Sequence, residues 1–531
     1  MSHRVYVFII VGLVIVYLIA GLVEITPYVT NGDSISYISL AQKYARGDLA
    51  EAVNGLWSPL LSWLLVPPLL MSQNPVVAAK VILLLAGLVF LFGVLLLARR
   101  FNLSPFLQII LAVIYLPVVI LVYVPTLITP DLLTLCPLIF YLYLIFDPDY
   151  FAKRSSAIFC GVLGGLGYFS KNYIFFFFLA HLAVFTAYCF FNAPHGKDRR
   201  RILVRTLQAL IVFAALSGTW VAVLSCKYHR LTISTAGSYN FAQIGTHSKG
   251  EFTKHGGLYP PPNSSAVSAW EDPSLHPQPS WSPFQSKVNF THYLRVVADN
   301  SLKDVRFAGK FSWWTWPILL VALCLAFRPT RHRVLLMALA TLAIYNAGYL
   351  LVRIEERYVY LNEVLILLMG CYLLALLFGA LGPRKIFLKI ALAVVFTAGF
   401  WVKLPALQDR QMDTYKSIHD KSQDVLKVLE IYAETPDLGR INIASNCCFQ
   451  QTLFVAYYDN LKYFGHLRPK DPPASIEREI KTYGIDFFFV WTEGHRAFRF
   501  LKSCPEVTHG QIPGLEIYDL RAFTQCPGCG T

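Results

Sequence analysis

Four groups of ionisable residues stand at the borders of apolar runs. They are Asp33 in "TNGDSISY", Asp131 in "LITPDLLTL", Lys171 in "GYFSKNYIFFFF", and Arg353, Glu355, Glu356 and Arg357 in "VRIEERYVYLNEV". A carboxylate at a membrane surface can act as a general base and take a proton from an attacking hydroxyl. Arginine and lysine at the same level can hold a phosphate and offset the charge that develops as a phosphate leaves. Each residue also has a plainer explanation. Asp33 precedes a helical pattern and can cap it, and Asp131 follows Thr129-Pro130, where a first helical turn favours an acid. Lys171 can snorkel to the interface, and Arg353 and Arg357 can pair with Glu355 and Glu356 as a solvated cluster. The plainer explanations cover the residues singly; they do not explain a shared level, so the elements that carry the residues have to decide.

Those elements are membrane spans. The 531-residue chain is 55% hydrophobic and 15% charged, with a mean hydropathy of +0.50, which excludes an ordinary water-soluble core for most of it. Apolar runs of about 20 residues, the length of a crossing, centre on 5–25, 76–98, 103–122, 131–146, 156–169, 173–192, 204–225, 312–327, 334–352, 358–380 and 386–404. About eleven crossings are therefore expected, the fourth and fifth being the shortest. The formal net charge of +14 does not point to nucleic acid, because its clusters alternate with the spans. Arg99-Arg100, Lys153-Arg154, Lys197 with Arg199 to Arg201, Arg328 with Arg331 and Arg333, and Arg384-Lys385 all fall in short loops on one side. This positive-inside pattern puts the N-terminus in the cytoplasm and segments 26–75, 227–311 and 405–531 outside, in a plasma or inner membrane. No small-residue cleavage site follows the first run, so it reads as an uncleaved span. All four charged groups then face one compartment at nearly one depth. A lipid-linked sugar phosphate matches that arrangement, with its tail in the bilayer, its phosphate at the interface and its sugar outside.

The first outer segment is patterned. Ile35, Ile38, Ala41 and Ala45 recur at helical spacing before Gly47, predicting an amphipathic helix lying on the membrane; Trp57 to Leu70, broken by prolines, predicts a re-entrant or interfacial element. The segment 227–311 reads as a long loop rich in Pro, Ser and aromatics, of the kind that forms a functional cover, with glycosylation triplets at Asn263 and Asn289. Beyond 405 the composition turns soluble: "DVLKVLEIYAE" and "SIEREIKTYG" read as helices, "RINIAS", "IDFFFVW" and "LEIYDL" as strands, together a small α/β domain. The chain thus divides at 404 into a transmembrane module (1–404) and an extracytoplasmic domain (405–531). Cys447, Cys448, Cys504, Cys526 and Cys529 fall in the outer region, where disulfides can form, but Cys526-Pro-Gly-Cys529 lacks the second pair a zinc site needs. No nucleotide loop and no internal repeat is present.

The GD-x-x-x-Y start of the first outer loop, the TPD opening the fourth span, the SK between the fifth and sixth, and the ERY near the tenth resemble, in order and face, the GT-C glycosyltransferases of the dolichyl-phosphate-mannose protein mannosyltransferase and lipid A aminoarabinose transferase type (family 39-like). The resemblance implies a GT-C fold, a polyprenyl-phosphate sugar donor, and a lipid, glycan or protein acceptor. By position it implies Asp33 and Asp131 as the catalytic acids, Lys171, Arg353 and Arg357 as contacts to the donor phosphate, and Tyr37, Trp57, Glu355, Glu356 and Tyr358 as candidate substrate contacts. Ser34 stands where the protein mannosyltransferases usually carry a second acid, which argues against a protein acceptor and leaves a role for a divalent metal open. The rival readings are a flippase or transporter of lipid-linked saccharides, which would place charges along a pathway within the spans, and a GT-C-like assembly protein without catalysis.

Overall fold

The structure is a computed structural model that describes residues 3–123, 128–193, 196–246, 248, 251, 256–407, 412–432, 437–467, 472–492 and 498–525. All eleven expected runs form helices. Among the described residues six are long and apolar enough to cross a bilayer: Arg4–Val23, Pro75–Arg100, Ile174–Phe191, Gly196–Tyr228, Arg331–Leu350 and Glu356–Leu381. Thr315–Ala326 follows Lys287–Phe311 through a 107° bend, and Pro105–Leu121, Asp131–Ile145 and Ile386–Trp401 are shorter apolar helices. Arg154–Ser170 packs along Gly196–Tyr228 through small residues. A Cβ on Gly161 would stand 2.4 Å from the Ala209 carbonyl oxygen, so glycine is what lets the two backbones touch.

The first outer segment forms the helices Gly32–Arg46 and Pro59–Leu70, packed on each other, with the single turn Leu49–Ala52 between them. The first ends where the sequence says it should, at Gly47, whose φ of 86° is a left-handed cap. It does not lie on an open membrane surface, as its pattern predicts. Ser34 to Ala41 and Lys43 are all buried, because the outer loop covers one side and the helix Phe449–Tyr458 covers another. Several polar residues on this helix are inside because they have partners there.

The segment 227–311 is more structured than its composition predicts. It holds the helices Ala236–Gln243 and Lys287–Phe311, the latter 25 residues long with Val288, Leu294, Leu302 and Val305 exposed. Asn289 is buried, and its amide donates to the Ser282 carbonyl at 3.0 Å, so that glycosylation triplet is closed in the folded chain.

The C-terminal region is a four-stranded sheet in the order β2-β1-β3-β4, formed by Asn442–Ser445 (β1), Lys462–His466 (β2), Phe487–Trp491 (β3) and Leu515–Asp519 (β4). β1 is parallel to both neighbours and β4 is an antiparallel edge. β2 and the helix Phe449–Tyr458 escape a reading by pattern, since "LKYFGH" is short and alternates poorly. No disulfide joins Cys447, Cys448 and Cys504 to one another; Cys526 and Cys529 lie outside the described residues. The sheet's core is continuous with that of the membrane module, and the Val29 amide donates to the Tyr458 hydroxyl at 2.8 Å.

One buried ion pair fastens the outer loop down. Lys43 on Gly32–Arg46 meets Glu271 of the loop with both side chains almost fully buried, and Ser39 donates to the other Glu271 oxygen at 2.5 Å. The Glu271 carbonyl accepts from the Asn54 amide at 2.7 Å and the Trp57 indole at 2.9 Å. Removing one partner strands a buried charge. Glu271→Ala should therefore lower stability by about 3–5 kcal/mol, seen as a fall in melting temperature of the detergent-purified protein, while the double variant Lys43→Met/Glu271→Gln recovers most of the loss.

Candidate functional site

The four sequence groups meet. Asp33 sits in the first turn of Gly32–Arg46 behind Asn31, which takes the cap position, and Asp33 makes no cap hydrogen bond. Its carboxylate turns instead to Arg357, with Oδ2 2.8 Å from Nη1, and its Oδ1 accepts from the Trp270 indole at 3.3 Å. Capping is therefore not what Asp33 does here. Asp131 opens its helix as expected, yet its Oδ1 lies 2.5 Å from the Lys171 ammonium and its Oδ2 accepts from the Thr129 hydroxyl at 2.7 Å. Arg357 Nη1 is also 3.9 Å from Asp131, so one guanidinium stands between the two acids.

Lys171 does not snorkel. It lies at the break between Arg154–Ser170 and Ile174–Phe191, its ammonium 3.8 Å from the centre of the Tyr358 ring. Tyr358 stacks on Tyr349, which stacks on Tyr173 with ring centres 3.9 Å apart. Burial depresses the Lys171 ammonium below the usual lysine range, and Asp131 opposes that shift. Arg357 also binds Glu355 through Nε at 2.9 Å. Arg353 reaches the other Glu355 oxygen at 2.6 Å and pairs with Glu251. Burial by itself would raise the Glu355 carboxyl; Arg357 and Arg353 outweigh it and hold the group below the ordinary carboxylate range.

These side chains line one cavity of about 520 Å³, with Asp33, Tyr37, Trp57, Asp131, Lys171, Arg353, Glu355, Arg357 and Tyr358 all in its wall. Glu356 does not line it; it faces away and pairs with Lys310 at 2.6 Å. Tyr37 and Trp57 meet edge to face at 5.3 Å, and Trp57 meets Trp270 in the same way at 5.7 Å. Trp270, Glu251, Tyr173 and Tyr349 also belong to the wall, and pattern reading misses them. Trp270 and Glu251 come from the long loop, where no periodicity marks a residue, and the tyrosines look like interfacial aromatics. Among the described residues no group of three or more His, Cys, Asp or Glu side chains is spaced to hold a metal ion. Asp33 and Asp131 each have a cationic side chain as partner.

No family model and no curated protein matches the sequence. Solved structures do match its fold. ArnT from Cupriavidus metallidurans, solved bound to undecaprenyl phosphate, superposes with a TM-score of 0.55 at 14% identity, over 96% of this chain and 97% of its own. The oligosaccharyltransferase AglB from Archaeoglobus fulgidus, in complex with an inhibitory peptide and a dolichol-phosphate, gives 0.52 at 11% identity, over 91% of this chain and 69% of its own. The chain has the GT-C fold. It is a polytopic α-helical membrane protein with a C-terminal sheet domain, as its patterning predicts.

The Glu355 cluster sets an acid limit. Because its folded-state pKa is depressed, Glu355 adds stability that is full above the unfolded value near ~4.3 and is lost as pH falls through the folded value. In Arg353→Ala the folded-state value rises, so the loss should be smaller and complete at a higher pH, by roughly 0.5–1 pH unit, in melting curves of purified wild type and variant recorded across the acid range.

Proposed function

We propose that the chain is an integral-membrane glycosyltransferase that moves a sugar from a polyprenyl-phosphate donor to an extracytoplasmic acceptor, with Asp33 as general base. The observation that carries this reading is the single cavity in which two acids and two cations from four distant segments meet. The GT-C fold, shared with proteins solved with undecaprenyl phosphate and a dolichol-phosphate, supports it.

Exposure assigns the two acids different tasks. The Asp131 side chain is only 6% exposed, with Lys171 and Thr129 on its two oxygens, so it orients the cations. Asp33 is more open, at 16%, and an acceptor hydroxyl can reach it. Lys171 and Arg357 hold the donor phosphate, and Arg353 supports them through Glu355. The acceptor oxygen attacks the anomeric carbon and its proton passes to the Asp33 carboxylate. The bond between that carbon and the phosphate oxygen breaks, and its electron pair stays on the phosphate, where the two cations offset the charge.

Arg357 links the two halves of the step. Its guanidinium is engaged with Asp33 before the donor arrives. A donor phosphate draws the guanidinium towards itself, which frees Asp33 for the proton. Trp57, Trp270 and Tyr37 form the apolar wall that excludes water from this exchange. Glu356, outside the cavity, has no part in it.

Asp33→Asn should lower sugar transfer from a polyprenyl-phosphate donor by about 10²–10⁴-fold and leave undecaprenyl phosphate binding nearly unchanged, because a base acts on the chemical step. Arg357→Ala should weaken that binding at least tenfold. Retained transfer by Asp33→Asn would refute the base, and undiminished binding by Arg357→Ala would refute the phosphate contact.

A further inference from the structure

A second and larger cavity, of about 1200 Å³, lies on the other side of the Gly32–Arg46 helix. Asp33 and Tyr37 line the first cavity, whereas Ser39, Gln42 and Arg46 line the second. Gln42 is nine residues beyond Asp33, or about 14 Å along a helix. Four separate parts of the chain close around this space: the helix itself, the helix junction from Leu69 to Val76, the outer-loop stretch from Pro260 to Val267, and the C-terminal domain through Arg440, Tyr457 and Lys462. A groove built from four segments and bordered by the junction of two apolar helices is well placed for a ligand that reaches it along the membrane.

Its lining has the chemistry of a sugar site. Gln42 is half-buried and its amide makes no hydrogen bond among the described residues. Asn263 also lines the groove, its amide nitrogen 3.5 Å from Glu271 and its Oδ1 accepting from the Ser265 hydroxyl, and Tyr457 supplies an aromatic ring. Concave sites of this kind use apolar faces for area and a few placed polar groups for orientation. Three cations add a preference of sign. Lys462 is half-buried and donates to the Ala266 carbonyl at 3.0 Å, and no carboxylate stands within ion-pair distance of it among the described residues. Arg46 and Arg440 have only exposed acidic neighbours, Asp48 at 3.7 Å and Asp437 at 3.0 Å, and exposed pairs of that kind hold their members weakly. Asp437 also lines the groove, so its charged wall carries three cations to one acid.

We propose that this groove is a second ligand site, which binds an anionic saccharide bearing phosphate or carboxylate groups. As the place of an acceptor's distal sugars it rests on the glycosyl-transfer reading; as a glycan site it does not. The two cavities share more than a helix, because Ser39 and Asn263 of the groove both contact the Glu271 carboxylate, whose neighbour Trp270 donates to Asp33.

The full-length protein in lipid nanodiscs is tested on a panel of phosphorylated and uronic oligosaccharides beside their neutral counterparts. Binding should be confined to anionic members, and Lys462→Met and Gln42→Ala should each weaken it at least tenfold, with undecaprenyl phosphate binding retained as proof of folding. Binding to no member, binding that both variants leave unchanged, or full competition by inorganic phosphate at equal concentration would each overturn the proposal. Asp33→Asn should bind the panel as wild type does. A chain that binds these glycans yet never transfers sugar would refute the transfer reading and leave the groove standing.

Discussion

The guanidinium of Arg357 is the interaction on which the rest of the site depends. It stands between Asp33 and Asp131 and also holds Glu355. Three carboxylates gathered beside apolar spans would repel one another and lose hydration together, a cost met only where cations are shared with good geometry. Lys171 and Arg353 complete the set. The charges therefore form a connected network in which each cation is shared with, or placed beside, a carboxylate.

Everything around the network serves to hold it dry and in register. The Lys43–Glu271 pair pins the outer loop to the first outer helix, and that puts Trp270 against both Trp57 and Asp33. The stack of Tyr173, Tyr349 and Tyr358 forms a wall beneath Lys171. The C-terminal domain contributes from the far side, through contact of its helix Phe449–Tyr458 with the first outer helix. The same helix is thereby given two working faces, one towards the charged network and one towards the polar groove.

At 14% and 11% identity to the solved structures that it resembles, the chain keeps an architecture while most side chains differ. Helix positions in a membrane are constrained by length, apolarity and close approach of small residues, all of which tolerate wide substitution. The charges that meet in the cavity stand at helix breaks, and those positions are set by where the spans end.

That division also explains what could be read from the sequence. The spans were legible because a bilayer demands long apolar runs, and Asp33, Asp131, Lys171 and Arg357 were legible because charges at the ends of such runs are conspicuous. The end of the first outer helix at Gly47 followed from local backbone preference. Which charge pairs with which did not follow: Arg357 reaches Asp33, Glu356 turns away to Lys310, and Asp33 leaves the cap to Asn31. Nor did the burial of the first outer helix, because its polar residues read as solvent-facing until Glu271 arrives from far along the chain. Local periodicity and hydropathy are properties of neighbouring residues, so the sequence alone determines elements and their borders. Ion pairing and burial are properties of segments that meet only on folding, so the tertiary structure alone decided the site.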